Sequence, residues 1–174
     1  MLKNGFRLAC QQPWTNELRI FLPPTAAVPA KKGKETGLAL DIGTTVIKAA
    51  ALNLKSGKIT GKDAVFNPQN NLGGDILTRV TEAIGGKRRF LKDLLNKGIL
   101  TVRQNLGLDY PVRTAIVGNP VMMSFYLNRS LKGYARHPFN GGINNPSIAK
   151  RGTSRIFPVI GGFVGGDTLA GIYA

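Results

Sequence analysis

Acidic residues are scarce in this chain: nine Asp and Glu stand against 24 Lys and Arg in 174 residues, a formal charge of +15. The single cysteine excludes an internal disulfide framework. One histidine without cysteine partners is poor material for a metal site, so His137 is read as a loop residue. No apolar run reaches the roughly 18 residues of a spanning helix, so no membrane segment is expected. The first residues, MLKNGFRLACQQPW, lack the apolar stretch of a signal peptide, and a cytoplasmic location is expected. So few acids also leave little for two-metal phosphodiester cleavage, which needs several converging carboxylates. The candidates are Asp41, Asp75, Glu82 and Asp167, and their spacing does not suit that chemistry.

The excess positive charge attracts nucleic acid, acidic proteins or anionic lipid without specificity. It is dispersed, with small clusters at Lys31-Lys32-Gly33-Lys34, Lys87-Arg88-Arg89 and Lys150-Arg151. These fall in a Pro/Ala/Gly stretch, a connection between helices and a loop. No nucleic-acid motif and no basic helix with interleaved aromatics accompanies them, so solvated surface charge is the simpler account.

The most informative stretch is Gly37 to Ala50, GLALDIGTTVIKAA. It reads as a β-hairpin: Leu38 to Leu40 enter, Asp41 to Thr45 turn, and Val46 to Leu52 leave. Gly43 lets backbone N–H groups approach an anion, and the hydroxyls of Thr44 and Thr45 add donors. Asp41, at the strand end, is placed to hold a hydrated Mg²⁺ beside phosphates. The plain alternative is a hairpin whose glycine serves only the turn. The stretch resembles the first phosphate-binding hairpin of the superfamily containing acetate and sugar kinases, Hsp70 and actin. Lys48 is within reach of phosphate, although lysine on a strand more often extends to solvent.

Three parts follow one another along the chain. Residues 1–12 read as the end of another domain, and 13–36 as an exposed linker that begins with a strand at Leu18 to Leu22 and continues as PPTAAVPAKKGKET. From 37 to 174 the pattern is globular. A third strand is expected over Lys58 to Phe66, then a loop to Gly74 and a helix from about Asp75. On that helix Ile76, Leu77, Val80 and Ile84 share a face, and Gly85-Gly86 interrupts it. A second helix carries Leu91, Leu94, Leu95, Ile99 and Val102. Val112 to Val117 reads as a buried strand, and Asn119-Pro120 as the cap and start of a helix to about Tyr126. Residues 127–152 are loop-rich, Arg155 to Ile160 form a last strand, and a helix begins near Asp167. This order gives an α/β fold, an RNase H-like half-domain with a mixed sheet and flanking helices.

Further stretches resemble one family, the ATP-dependent reductive activators of corrinoid enzymes. They are Gly5-Phe6-Arg7-Leu8-Ala9-Cys10-Gln11, Asn67-Pro68-Gln69 with Gly74-Asp75-Ile76-Leu77-Thr78-Arg79, Val117-Gly118-Asn119-Pro120-Val121-Met122, Pro138-Phe139, and Gly162-Phe163-Val164-Gly165-Gly166-Asp167-Thr168. The resemblance implies an N-terminal [2Fe–2S] ferredoxin-like domain, a linker and an ATPase domain of the actin, Hsp70 and sugar-kinase type. It also implies ATP and Mg²⁺ as cofactors, an electron donor, and a corrinoid protein as partner, reduced from Co(II) to Co(I). Cys10 corresponds to the last cluster ligand of that ferredoxin-like domain. A cluster needs four ligands, so this chain is not expected to assemble one, and Cys10 reads here as an inert small side chain.

Only the first phosphate hairpin is present; the second hairpin and the adenosine motif have no counterpart in these residues. The expectation is therefore a fragment with a weak nucleotide site, completed by a polypeptide that supplies the missing half. Asp167 opens a helix after a strand and either caps it or orients an attacking water. The competing readings are a nuclease or nucleic-acid-binding protein on the same fold, a sugar or acyl kinase fragment, and a non-enzymatic half that binds another chain.

Overall fold

Alternation of small and branched apolar residues with outward-facing ones makes Thr36–Ile42 the first strand, β1. It pairs antiparallel with β2, Val46–Asn53, which pairs antiparallel with β3, Ile59–Phe66. The computed structural model describes residues 35–108, 112–139, 149–151 and 153–173. Cys10, the stretch 1–12 read as a ferredoxin-like remnant, the strand expected at Leu18 to Leu22 and the Lys31 to Lys34 cluster lie outside the described residues.

After β3 the chain crosses the sheet through two helices. Asn67 caps a 3₁₀ turn over Pro68–Leu72, and Asp75 caps α1, Ile76–Glu82. Gly86, at φ 106°, provides the left-handed break before α2, Arg88–Asn105. The chain then enters β4, Arg113–Gly118, parallel to β1. Helix α3, Pro120–Tyr126, follows at once, capped by Asn119 with proline at its first position. Strand β6, Ser154–Ile156, lies parallel to β4, and the short edge strand β5, Ala149–Arg151, lies antiparallel to it. The spatial order is β3-β2-β1-β4-β6-β5. Helix α4, Gly166–Tyr173, packs against β4. This is the mixed α/β half-domain expected from the element order.

The core lies between one face of the sheet and the helices α1 to α3. Leu38, Leu40 and Ile42 of β1, Ile47 of β2 and Ile116 of β4 are buried with Val80, Leu91, Leu95, Val102, Val121, Met122 and Phe125. Each such Leu or Ile contributes about 1.5–3 kcal/mol by leaving water. The opposite face is different. Its cross-strand row runs Lys62, Ala50, Ala39, Ala115, Arg155, and the next runs Ala64, Lys48, Asp41, Val117. The small side chains leave an open groove of about 680 Å³, bounded on one side by Phe157 and by Ala170 of α4.

Several expectations are corrected. Asp41 and Ile42 belong to β1, so the turn is Gly43 to Thr45. The segment after β3 is a 3₁₀ turn rather than an open loop. Leu77 and Ile84 are 56% and 44% exposed, whereas Arg79 is fully buried beside Val80. Helical spacing located the stripe, but acceptors on Gly73, Thr44, Gln69 and Asn70 hold Arg79 on the inward side. Lys150-Arg151 lies on β5, not in a loop, and the last strand is shorter than expected, ending at Ile156.

Candidate functional site

The Gly43-Thr44-Thr45 turn has each of its carbonyl oxygens held from one side. Asn67 Nδ2 donates to Gly43 O at 2.9 Å, and Arg79 Nη1 donates to Thr44 O at 2.7 Å. Thr45 O accepts from the Asn67 N–H at 2.8 Å and from Asn70 Nδ2 at 3.1 Å. Peptide groups are planar and trans, so a carbonyl held inward turns the following N–H outward. The N–H groups of Thr44 and Thr45 therefore point away from the anchoring side chains, as an anion-binding concavity requires. Gly43 is required by packing: a Cβ there would stand 2.3 Å from the carbonyl oxygen of Val46.

A second layer of contacts fixes this turn to β4 and α3. Asn119 accepts the Met122 N–H at 3.0 Å as a helix cap and donates through Nδ2 to Thr44 Oγ1, also at 3.0 Å. One side chain thus caps α3 and holds the turn, and the Thr44 hydroxyl proton is left for another acceptor. Gly118-Asn119 also touches the start of α4. A Cβ on Gly165 would lie 2.3 Å from Gly118 O and 2.8 Å from Asn119 Cα.

This contact brings Asp167 to the same edge as Asp41. Burial pushes the Asp41 carboxyl above the usual aspartate range; Lys48, directly opposite on β2, opposes that shift, and the negative charge of Asp167 adds to it. Asp167 is not the residue ahead of the helix. It lies in the first turn of α4, where its Oδ1 accepts the Thr168 N–H at 2.9 Å. The glycine at 165 takes the leading place because no side chain fits against Gly118.

Asp41, the 43–45 turn, Asn119 and Asp167 therefore converge beyond the carboxyl ends of the parallel strands β1 and β4, where ligands sit in open α/β sheets. Asp75 and Glu82 are elsewhere and engaged. Asp75 accepts both the N–H and the hydroxyl of Thr78, which lowers its pKa, and Glu82 pairs with Lys87 at 2.6 Å. Among the described residues no three of His, Cys, Asp and Glu cluster to hold a metal. That leaves the two-metal nuclease reading without its ligand set.

Residues 36–174 match the family model described as the RACo middle region. The chain belongs to this RACo family. It is 30% identical to the corrinoid activation enzyme RamQ of Eubacterium limosum, over 77% of this chain and 26% of that protein. Its fold matches the solved reductive activator for corrinoid, iron-sulfur protein with a TM-score of 0.69 at 20% identity, over 81% of this chain and 26% of that one. The RACo-type chain thus spans about a quarter of the length of these relatives. No helix among its described residues is long and apolar enough to cross a membrane.

Four residues that hold the turn were not singled out individually in the sequence: Asn67, Gln69, Asn70 and Arg79. Asn67, Gln69 and Arg79 lie in the NPQ and GDILTR stretches that carried the family resemblance, and Asn70 lies in the loop expected between them. Asn67, Asn70 and Arg79 reach the turn across 24 to 35 residues of chain, and Gln69 acts through Arg79, which no local pattern displays.

Proposed function

We propose that this chain forms the first half of the ATPase cleft of a corrinoid reductive activator, acting in the cytoplasm. ATP, when bound, would supply free energy for passing one electron from a separate electron donor to a corrinoid protein, reducing it from Co(II) to Co(I) in methyl-transfer metabolism. The N–H groups of Thr44 and Thr45 and the Thr44 hydroxyl bind phosphate oxygens. Asp41 holds Mg²⁺ through water, because a half-buried carboxylate beside the phosphate-binding turn favours a hydrated cation nearby. Asp167 orients the attacking water from the start of α4. The supporting observation is the inward anchoring of the three turn carbonyls, next to a raised-pKa aspartate and a second carboxylate.

ATP can promote an uphill electron transfer only by favouring a conformation in which that transfer proceeds. The groove beside Asp41 needs a facing lobe to enclose a nucleotide, so the cleft is completed by residues beyond these or by a second polypeptide. A [2Fe–2S] cluster needs four ligands, and Cys10 is the only cysteine here, so these residues do not fit a whole cluster. The chain's own contribution is the nucleotide half.

The test is calorimetric titration of Mg-ATP into the purified chain, with Asp41→Ala and with raised salt. Saturable binding that survives salt and is lost in the variant supports the site. Binding that salt abolishes and Asp41→Ala leaves unchanged reflects only the +15 surface, and refutes it.

A further inference from the structure

Arg79 is the largest fully buried side chain in the described fold, and among the described residues no carboxylate accepts from its guanidinium. Its acceptors are neutral: Nε donates to Gly73 O at 2.8 Å, Nη1 to Thr44 O at 2.7 Å and to Gln69 Oε1 at 3.2 Å, and Nη2 to Asn70 Oδ1. The remaining neighbour recorded is the Met122 sulfur, 3.8 Å from Nη1. Asp75 acts on it from a distance but spends its oxygens on Thr78. Guanidinium groups stay protonated in proteins, so a full positive charge lies behind the hairpin turn, sealed from water and not neutralised by contact.

Buried charges are normally paired, because an uncompensated one is costly. A purely structural clamp for Thr44 O needs only a neutral donor. The unpaired charge is explained if an anion completes it from the other side of the turn. The N–H groups facing that side and the guanidinium behind it then act on the same anion, through a path of low dielectric that water cannot screen.

We infer that Arg79 is a buried electrostatic positioning residue that holds the Gly43–Thr45 turn and strengthens its binding of the nucleotide phosphates without touching them. This rests on the phosphate role proposed above for that turn.

The test separates charge from clamping. Asn70→Asp places a carboxylate on Nη2 and neutralises the guanidinium where it stands. Thr45 O exchanges Asn70 Nδ2 for a carboxylate oxygen but keeps the Asn67 N–H at 2.8 Å, and Asn70→Ala, which removes the same donor without adding charge, measures that structural share. Arg79→Lys does the reverse, retaining the charge and losing the fork of donors. Each variant is titrated with Mg-ATP at low and at high salt, and its denaturation midpoint is measured. Asn70→Asp is expected to weaken Mg-ATP at least about tenfold more than Asn70→Ala does, the scale of one charge acting over several ångströms at an effective dielectric of about 20. Because the Arg79 charge is buried, high salt should not remove the difference. Arg79→Lys is expected to lower the midpoint while losing less affinity than Asn70→Asp. Affinity in folded Asn70→Asp no weaker than in Asn70→Ala overturns the role of Arg79 and leaves the phosphate site standing. No Mg-ATP binding by the wild-type chain overturns both.

Discussion

Replacing Asn67 with Ala tests whether the hairpin turn is held as described. The side chain is 1% exposed and makes two hydrogen bonds to backbone groups of different segments. Its Nδ2 donates to Gly43 O at 2.9 Å, and its Oδ1 accepts the Gln69 N–H at 3.0 Å. Truncation leaves the Gly43 carbonyl without this donor, at about 1–3 kcal/mol, and removes the cap of the 3₁₀ turn, at about 1 kcal/mol. The expected loss is about 2–4 kcal/mol. With a urea slope of about 2 kcal/mol per molar, the midpoint falls by about 1–2 M. Asn67→Asp separates the two contributions. It keeps an acceptor for Gln69 but sets a carboxylate oxygen against Gly43 O, so it should lose most of the turn's share and little of the cap's. The assay is urea denaturation followed by circular dichroism. A shift below about 0.3 M for Asn67→Ala at unchanged slope would refute the account, because it would mean that the Gly43 carbonyl does not depend on this side chain.

Other outcomes follow from the same geometry. Gly165→Ala places a Cβ 2.3 Å from Gly118 O, and the overpacking should cost about 1–3 kcal/mol and reduce Mg-ATP affinity by displacing Asp167, checked by thermal melts and titration. Leu91→Ala should cost about 2–5 kcal/mol, whereas Leu77→Ala, at a 56% exposed position, should stay within about 0.5 kcal/mol by the same denaturation assay. Asp41 has a folded pKa above its unfolded value, so its contribution favours folding below the ordinary aspartate range and is lost as pH rises through the folded pKa. Asp41→Asn should therefore raise stability at neutral pH while abolishing Mg²⁺-dependent nucleotide binding. For the same reason, that binding in the wild-type chain should fade on acidification at a higher pH than an ordinary aspartate would give, read from titrations at stepped pH.

The sheet and its crossover helices were legible because each rests on a local signal. Alternation marks β1 to β3, the leucine and valine spacing of α2 marks its buried face, and Asn119-Pro120 marks the start of α3. Local signals failed where a distant contact decided the outcome. Arg79 looks like a surface residue on a helix, yet it is drawn inward by acceptors on Thr44, Gln69, Asn70 and Gly73. Edge strand β5 is three residues long, too short for alternation to show. Asp167 looks like a helix cap, but the helix is preceded by Gly165, whose lack of a side chain matters only because Gly118 and Asn119, distant in the chain, pack against it.

The amino-acid sequence by itself determined the fold class, the family and the location of the Asp41 to Thr45 hairpin, because these depend on the order of periodic segments and on short motifs. Tertiary structure alone decided that Asp41 and Asp167 share an edge, that three turn carbonyls are anchored inward, and that a guanidinium whose acceptors among the described residues are all neutral lies behind them. Those facts depend on how a helical crossover and a parallel strand bring residues far apart in the chain to the same end of the sheet, and on which side chain the packed interior has room to admit.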